Sequence, residues 1–289
     1  MVFPSGFFRF LSENNVQLQF FDKYGEYLGA FIPRRLVASS SLTMQQALAY
    51  NDESERLEIA KQFAMAAAHN IRENLKYYSR RSDRLILKQT IDEITSLIQE
   101  EKETEKISDL MLIEGRIRRD YYNCLNDILP ADDFPFIKRS KQPPEDPINS
   151  LISFGNTLLY RRIAKEIYKS KLDIKIGFLH ATNRRYESLH LDIAEIFRPV
   201  IVDRIIFTLI NKKMINEQLH FENLNNNAVY LNKEGKKIFV REFELKMAQK
   251  LKQENGCRVS YGNLIKAEIR KLIRYFEKGE EYRAFKYFL

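Results

Sequence analysis

Four residues could do chemistry together: Glu114, His180, Asp192 and Glu195. Asp192 and Glu195 lie three apart in a run, 189–207, that is mostly Leu, Ile, Val and Phe. At helical spacing they share a face, in a stripe with Ser188 and with Arg198 or Pro199, and Asp203 falls near its end. A helix this apolar is buried on most sides. Carboxylates on it stay ionised only if something cationic compensates them, an Arg, a Lys or a metal ion. Glu114 sits in LMLIEGRIRRDYY, an acid beside Gly115 inside an apolar helical run. Glycine there costs about 1 kcal/mol against Ala, so it reads as room for close approach. His180 ends the short apolar run IGFLH, in the turn before the Asp192–Glu195 helix. Oxygen donors with one imidazole suit Mg²⁺ or Mn²⁺. Such an ion would polarise a phosphoryl oxygen and assist an attacking or leaving hydroxyl.

Basic residues recur beside these acids. They cluster at Lys76, Arg80, Arg81 and Arg84, at Arg116, Arg118 and Arg119, at Lys138, Arg139 and Lys141, and at Arg184 and Arg185. Tyr77, Tyr78, Tyr121, Tyr122 and Tyr186 are interleaved with them, and tyrosine beside arginine suits stacking on unpaired bases. Arg80, Arg84, Arg116, Arg119, Lys138, Arg139, Lys141, Arg184 and Arg185 are the expected DNA contacts. Taken singly, each cluster reads as a solvated face, and DxxE as an acidic surface. His69, His190 and His220 read as packed histidines without an acid pair. A net charge of +8 over 289 residues favours a polyanionic partner.

The elements that would hold these residues are mostly helical. The sequence predicts helices from Ser41, over Glu53–Ser79, over 83–101, and from a Ser108 cap through 128. It predicts a loop over the five prolines of 130–148, then a helix from Asn149. EEKETE at 100–105 reads as a solvated turn. AVYLNKEGKKIFV reads as a hairpin turning at Lys233–Lys236, with helices after it at 241–254 and 260–277. In the first 37 residues VQLQFFD and YLGAFIP read as a β-hairpin about KYGE, after a short helix ending at Asn15. Two strands alone are marginal, so this portion reads as the end of a larger sheet. The expected fold is mainly α with a small N-terminal β portion (α+β): residues 1–37 as a partial β domain and linker, 38–289 as a helical catalytic domain. No run approaches a membrane span, no secretory leader is evident, and Cys124 and Cys257 lack metal-site spacing. A reduced cytoplasmic protein without membrane attachment is the expectation.

Several stretches carry a resemblance. IEGRIRRDYYN, KRSKQPPEDPINSLISFGNTLLY, GFLHATNRRYESLHLDIAEIFRPVIVDR and RVSYGNLIKAEIRKLI resemble the CRISPR-associated spacer-acquisition integrase, the "Cas-one" family, across essentially the whole chain. VQLQFFDKYGEYLGAFIPRRLV resembles the last strands of that family's N-terminal β domain, with earlier strands expected to be missing. The resemblance implies Glu114, His180 and Glu195 as metal ligands and Asp192 as their companion acid. It implies a prokaryotic antiviral-defence enzyme dependent on Mg²⁺ or Mn²⁺. A 3′-hydroxyl of captured double-stranded DNA with single-stranded ends would attack a phosphodiester at a repeat edge, a transesterification. It implies a homodimer formed through the β domain and a small "Cas-two" partner protein. The alternatives are a catalytically inactive DNA-binding scaffold of the adaptation complex and a general branched-DNA nuclease. Ala181 and Thr182 depart from relatives that carry an acid just after the His.

Overall fold

The structure is a computed structural model describing residues 3–23, 27–34, 38–82, 84–130, 134–180, 187–224, 228–253 and 256–288. A short helix α1 (Ser5–Glu13) leads into an antiparallel hairpin of β1 (Leu18–Phe21) and β2 (Tyr27–Phe31), with Leu18 opposite Phe31 and Phe20 opposite Gly29. Phe8 packs on Phe31 to hold α1 against the hairpin. The hairpin reaches the helical body through Tyr27, whose ring lies 3.9 Å beneath the Arg161 guanidinium.

The body is built on α3 (Glu53–Ser79), which follows α2 (Ser40–Asn51). The Asp52 side chain accepts from the Ser54 and Glu55 N–H groups, which starts α3 firmly. Ala60, Ala64, Ala66, Ala67 and Ala68 are all buried, so neighbouring helices approach α3 closely. Around it pack α4 (Leu85–Glu103), α5 (Ile107–Asn123) and α8 (Leu189–Phe197). The one-turn α6 (Leu125–Ile128) follows α5. Helix α7 (Pro147–Ser170) begins with proline in its first turn and Asp146 capping Asn149 N–H at 2.7 Å. It ends at Lys171, in the left-handed region at φ 69°.

The apolar run from Leu189 is a broken helix. Helix α8 gives way to a π-helical turn, Pro199–Asp203, and then to α9 (Arg204–Asn211). All residues of α8 and of the π turn are buried. Beyond it come α10 (Glu217–His220), a hairpin of β3 (Phe221–Leu224) and β4 (Ala228–Leu231), and α11 (Lys233–Ala248). A second small hairpin, β5 (Lys250–Lys252) with β6 (Arg258–Ser260), precedes α12 (Tyr261–Lys278). Residues 280–288 then run extended across α3, burying Tyr282, Phe285 and Tyr287.

The mainly helical α+β expectation agrees with this architecture, and four local expectations do not. Lys233–Lys236 is the first turn of α11, because Asn232 accepts from Gly235 N–H and caps a helix; the hairpin partner of β4 is β3. Helix α11 ends at Ala248. Ser108 is not the cap of α5, and its hydroxyl bonds to Asp109. Glu101, in the run expected to be solvated, is fully buried inside α4. Among the described residues no helix is long and apolar enough to cross a membrane.

Candidate metal and nucleic-acid site

The site starts from a close crossing of chain segments. Residues 174–180 pass over the start of α8, where Ile174 C=O accepts from the N–H groups of both Ser188 and Leu189 at 3.0 Å. Gly177 is needed there: a Cβ would stand 2.7 Å from Asp192 Oδ2 and 2.9 Å from Ser188 Oγ. Its N–H donates to Ser188 Oγ. Beyond Gly177 the backbone wraps the Asp192 carboxylate. Oδ2 accepts from Phe178 N–H (2.6 Å) and Leu179 N–H (3.1 Å), and Oδ1 accepts from His180 N–H (3.0 Å). Oδ1 also meets His180 Nδ1 at 2.7 Å. Asp192 is fully buried, and these bonds compensate its charge. A carboxylate only accepts, so it fixes the imidazole proton on Nδ1 and leaves the Nε2 lone pair free. That nitrogen points towards Glu195 Oε1, 3.7 Å away. Asp192 therefore orients His180, and its own oxygens are already engaged.

Glu114 arrives from α5 and meets the same place. The Arg118 guanidinium, one turn on, bonds to Glu114 Oε1 and also to Glu195 Oε2. Arg198, one turn beyond Glu195, pairs with Glu195 Oε1. Burial alone would raise the Glu114 pKa, but the guanidinium groups of Arg118 and then Arg198 pull it below the ordinary carboxylate range. Behind them Asp203 is buried and pushed up to about 6, a rise that its bond with Tyr121 and the nearby Arg118, Arg198 and Arg139 restrain.

Among the described residues no three His, Cys, Asp or Glu side chains close into a metal-ligand set. The Arg118 guanidinium bridges Glu114 and Glu195 and supplies positive charge between them. Two carboxylates gathered on one cation beside an imidazole with a free Nε2 is a donor set suited to a hard divalent ion. Glu114, His180 and Glu195 are thus side chains that could hold such an ion, and here Arg118 pairs with both acids.

These residues line the wall of a cleft of about 1290 Å³. Gly115 lies beside Glu114, and a Cβ there would meet nothing within 4 Å, so the glycine leaves the wall low. Of the expected DNA contacts, Arg119, Lys138, Arg139 and Lys141 line the cleft. Arg139 is turned inward, bonding to Asn149 Oδ1 at 2.7 Å and Ser153 Oγ at 3.0 Å, and so ties the 138–141 segment to α7. Arg80, Arg84 and Arg116 do not line it. Arg84 pairs with Asp127 at 2.7 Å and Arg116 with Glu100 at 3.5 Å, both acids of neighbouring elements. Arg184 and Arg185, like Ala181 and Thr182, lie outside the described residues. Arg118, Arg198 and Lys236 are not among the expected DNA contacts, yet all three line the cleft. The signal for two of them was spacing: Glu114 to Arg118 is i, i+4, and Glu195 to Arg198 is i, i+3. Tyr122, Tyr160 and Tyr230 supply aromatic surface in the same cleft.

Comparison with known proteins extends this picture. The family described as "CRISPR associated protein Cas1" matches residues 2–245. A CRISPR-associated endonuclease Cas1 of Thermodesulfovibrio yellowstonii is 39% identical over 277 residues, covering 96% of this chain and 83% of that protein. Among solved structures, a Cas1 protein from Thermotoga maritima superposes with a TM-score of 0.84 at 35% identity, covering 98% of this chain and 86% of that one. A casposase bound to integration product gives a TM-score of 0.84 at 26% identity, covering 96% and 76%. A chain of a Cas6-RT-Cas1–Cas2 complex shares the fold, with a TM-score of 0.82 at 23% identity over 96% of this chain and 30% of that one. The chain belongs to the Cas1 family of CRISPR-associated proteins.

Proposed function

We propose that this chain is a metal-dependent DNA integrase and nuclease of CRISPR adaptation, joining a DNA 3′-hydroxyl to a target phosphodiester by transesterification. The observation that carries the reading is the convergence of Glu114, His180 and Glu195, from separate segments, on one side of a basic, tyrosine-lined cleft. The relatives' names support it: an endonuclease at 39% identity and a casposase caught with its integration product. Glu114, His180 and Glu195 would hold Mg²⁺ or Mn²⁺. When bound, the ion supplies Lewis-acid polarisation of a phosphoryl oxygen and acidifies an attacking hydroxyl.

The chain's own groups do the rest. Asp192 keeps the His180 proton on Nδ1 and so keeps Nε2 available. Arg118 and Arg198 place two guanidinium groups beside the acids, where a phosphate approaching Glu195 would otherwise be repelled. Lys138 and Arg119 on the cleft wall attract the backbone, and Tyr122 and Tyr160 offer faces for unpaired bases. One phosphodiester bond forms as another breaks, so the reaction needs no external energy source. Pairing as a homodimer and assembly with a small Cas2-type protein belong to the same proposal; the shared fold with a Cas1–Cas2 complex chain supports the second.

The test is strand transfer of a short duplex into a supercoiled repeat-bearing plasmid, with Mg²⁺ or Mn²⁺ and the small partner protein. Loss of an outer hydrogen-bond partner at a metal site costs about 10–100-fold, and loss of a ligand costs more. Glu114→Gln and Glu195→Gln are therefore expected to lose at least about 100-fold in product. Product at the wild-type rate from either variant removes the assignment. Tight DNA binding by wild type without product favours a scaffold.

A further inference from the structure

The acid Glu195 and its partner Arg198 sit on a helix that is broken immediately after them, and the break has its own support. Pro199 has no N–H, so the Glu195 carbonyl lacks its regular i+4 donor. The ladder then slips: Asp203 N–H bonds to Arg198 C=O, five residues back, instead of to Pro199 C=O. The acceptors on either side of this slip are taken by α3. Asn70 Nδ2 donates to Ile196 C=O at 2.8 Å, and Asn74 Nδ2 donates to Pro199 C=O at 2.6 Å. Both asparagines are fully buried and lie one helical turn apart, so α3 presents two amides in register with the break.

Each amide oxygen is also engaged. Asn70 Oδ1 accepts from Tyr287 N–H at 2.7 Å, joining the C-terminal strap to α8. Asn74 Oδ1 accepts from Arg204 Nη1 at 3.2 Å, on the far side of the break. Asn74 Nδ2 also reaches the Tyr121 hydroxyl at 3.4 Å, and Tyr121 bonds to Asp203. Tyr121 lies on α5, two turns from Glu114. Asn74 thus touches the helix that carries Glu114 and the break that follows Glu195. A regular helix through 199 would turn the residues after the break about the axis and carry Arg204 away from Asn74.

We infer that Asn70 and Asn74 are positioning residues: by holding the carbonyls of Ile196 and Pro199 they fix the π turn that places Glu195 opposite Glu114. The inference rests on the metal reading of the site, and its test separates the two. Mn²⁺ affinity is read directly from the free-ion electron paramagnetic resonance signal, with no reaction involved. Wild type should bind, and Glu195→Gln should not. Asn70→Leu and Asn74→Leu, which keep volume and remove the amide, should each weaken binding about 10-fold. Thr90→Val is the control: it removes a buried hydroxyl of α4 that accepts from Cys124 Sγ at 3.3 Å, ten residues along the chain from Glu114, and it should leave Mn²⁺ affinity unchanged. Where an asparagine variant fails to fold, Pro199→Ala carries the test. It restores an N–H donor, removes the reason for the slip, and should weaken Mn²⁺ binding about 10-fold while the protein melts no earlier than wild type. Wild-type affinity in the folded asparagine variants and in Pro199→Ala overturns the inference and leaves the metal reading standing. No Mn²⁺ binding by wild type overturns both.

Discussion

At the scale of single residues, acids were legible where they broke an apolar pattern, and their compensation from a second helix was not. Glu114, Asp192 and Glu195 could be found because a carboxylate in a run of Leu and Ile demands a partner. Which partner it takes is a matter of three-dimensional approach: Arg118 serves acids on two helices at once, and its pairing with Glu195 has no sequence signature. Glu101 shows the opposite failure. Its neighbours EEKETE read as solvent-facing, yet it falls seven residues after Ile94 on the inward face of α4. Both of its carboxyl oxygens are buried without a hydrogen-bond partner. Burial, reinforced by the Glu114 charge, pushes its pKa up to about 8 from 4.5. The folded protein therefore holds a proton that the unfolded chain releases between those values. Stability from this group is complete below pH 4.5 and declines as pH rises towards 8, by up to about 1.4 kcal/mol per pH unit. Glu101→Gln cannot ionise, so its melting temperature should exceed that of wild type at pH 8.5 and match it near pH 5. Melting curves across that range check this, and a difference that does not vary with pH would count against a buried, protonated Glu101.

At the scale of elements, helix existence was legible from periodicity and caps, whereas helix interruption was not. The 53–79 helix is visible as a 3.6-residue stripe of Ala, Phe and Leu, and Asp52 marks its start. Lys233–Lys236 looked like a hairpin turn because KEGKK follows a β-type run; only the Asn232 cap distinguishes a helix start from a turn. The π turn at Pro199–Asp203 left no trace beyond one proline, since its support comes from asparagines about 125 residues earlier in the chain. What fixes the depth of this turn on its other side is α7. Gly155 there faces Val202 and Phe239, and a Cβ would lie 2.6 Å from Val202 Cγ1 and 2.7 Å from Phe239 Cζ. Gly155→Ala would push α7 away from the turn and from α11, and overpacking of this kind costs about 1–3 kcal/mol. This loss outweighs the gain of up to about 1 kcal/mol that Ala brings to a helix interior. Chemical denaturation should show a net loss of stability; a net gain would mean that α7 yields without cost.

At the scale of the whole molecule, net charge was legible and its placement was not. A surplus of +8 says only that polyanions are attracted. The fold then sorts the cations into those that neutralise acids of the protein and those left for a partner. Arg84 and Arg116 belong to the first group, held by Asp127 and Glu100 away from the cleft. Lys138 and Arg119 belong to the second, exposed on the cleft wall, although Arg119 also leans on its neighbour Asp120 at 3.3 Å. Binding of a short duplex should weaken as salt rises, because each phosphate contact releases a counterion. Each cation that meets a phosphate contributes about one unit to the slope of log affinity against log salt. Lys138→Ala should therefore lower the slope by about one, and Arg119→Ala by about one or somewhat less where Asp120 competes for it. Arg84→Ala and Arg116→Ala should leave the slope unchanged, because neither side chain reaches the cleft. Anisotropy titrations at several salt concentrations separate the two groups. Equal slope changes for all four variants would mean that the duplex follows the overall field of the protein and not the cleft that holds Glu114 and Glu195.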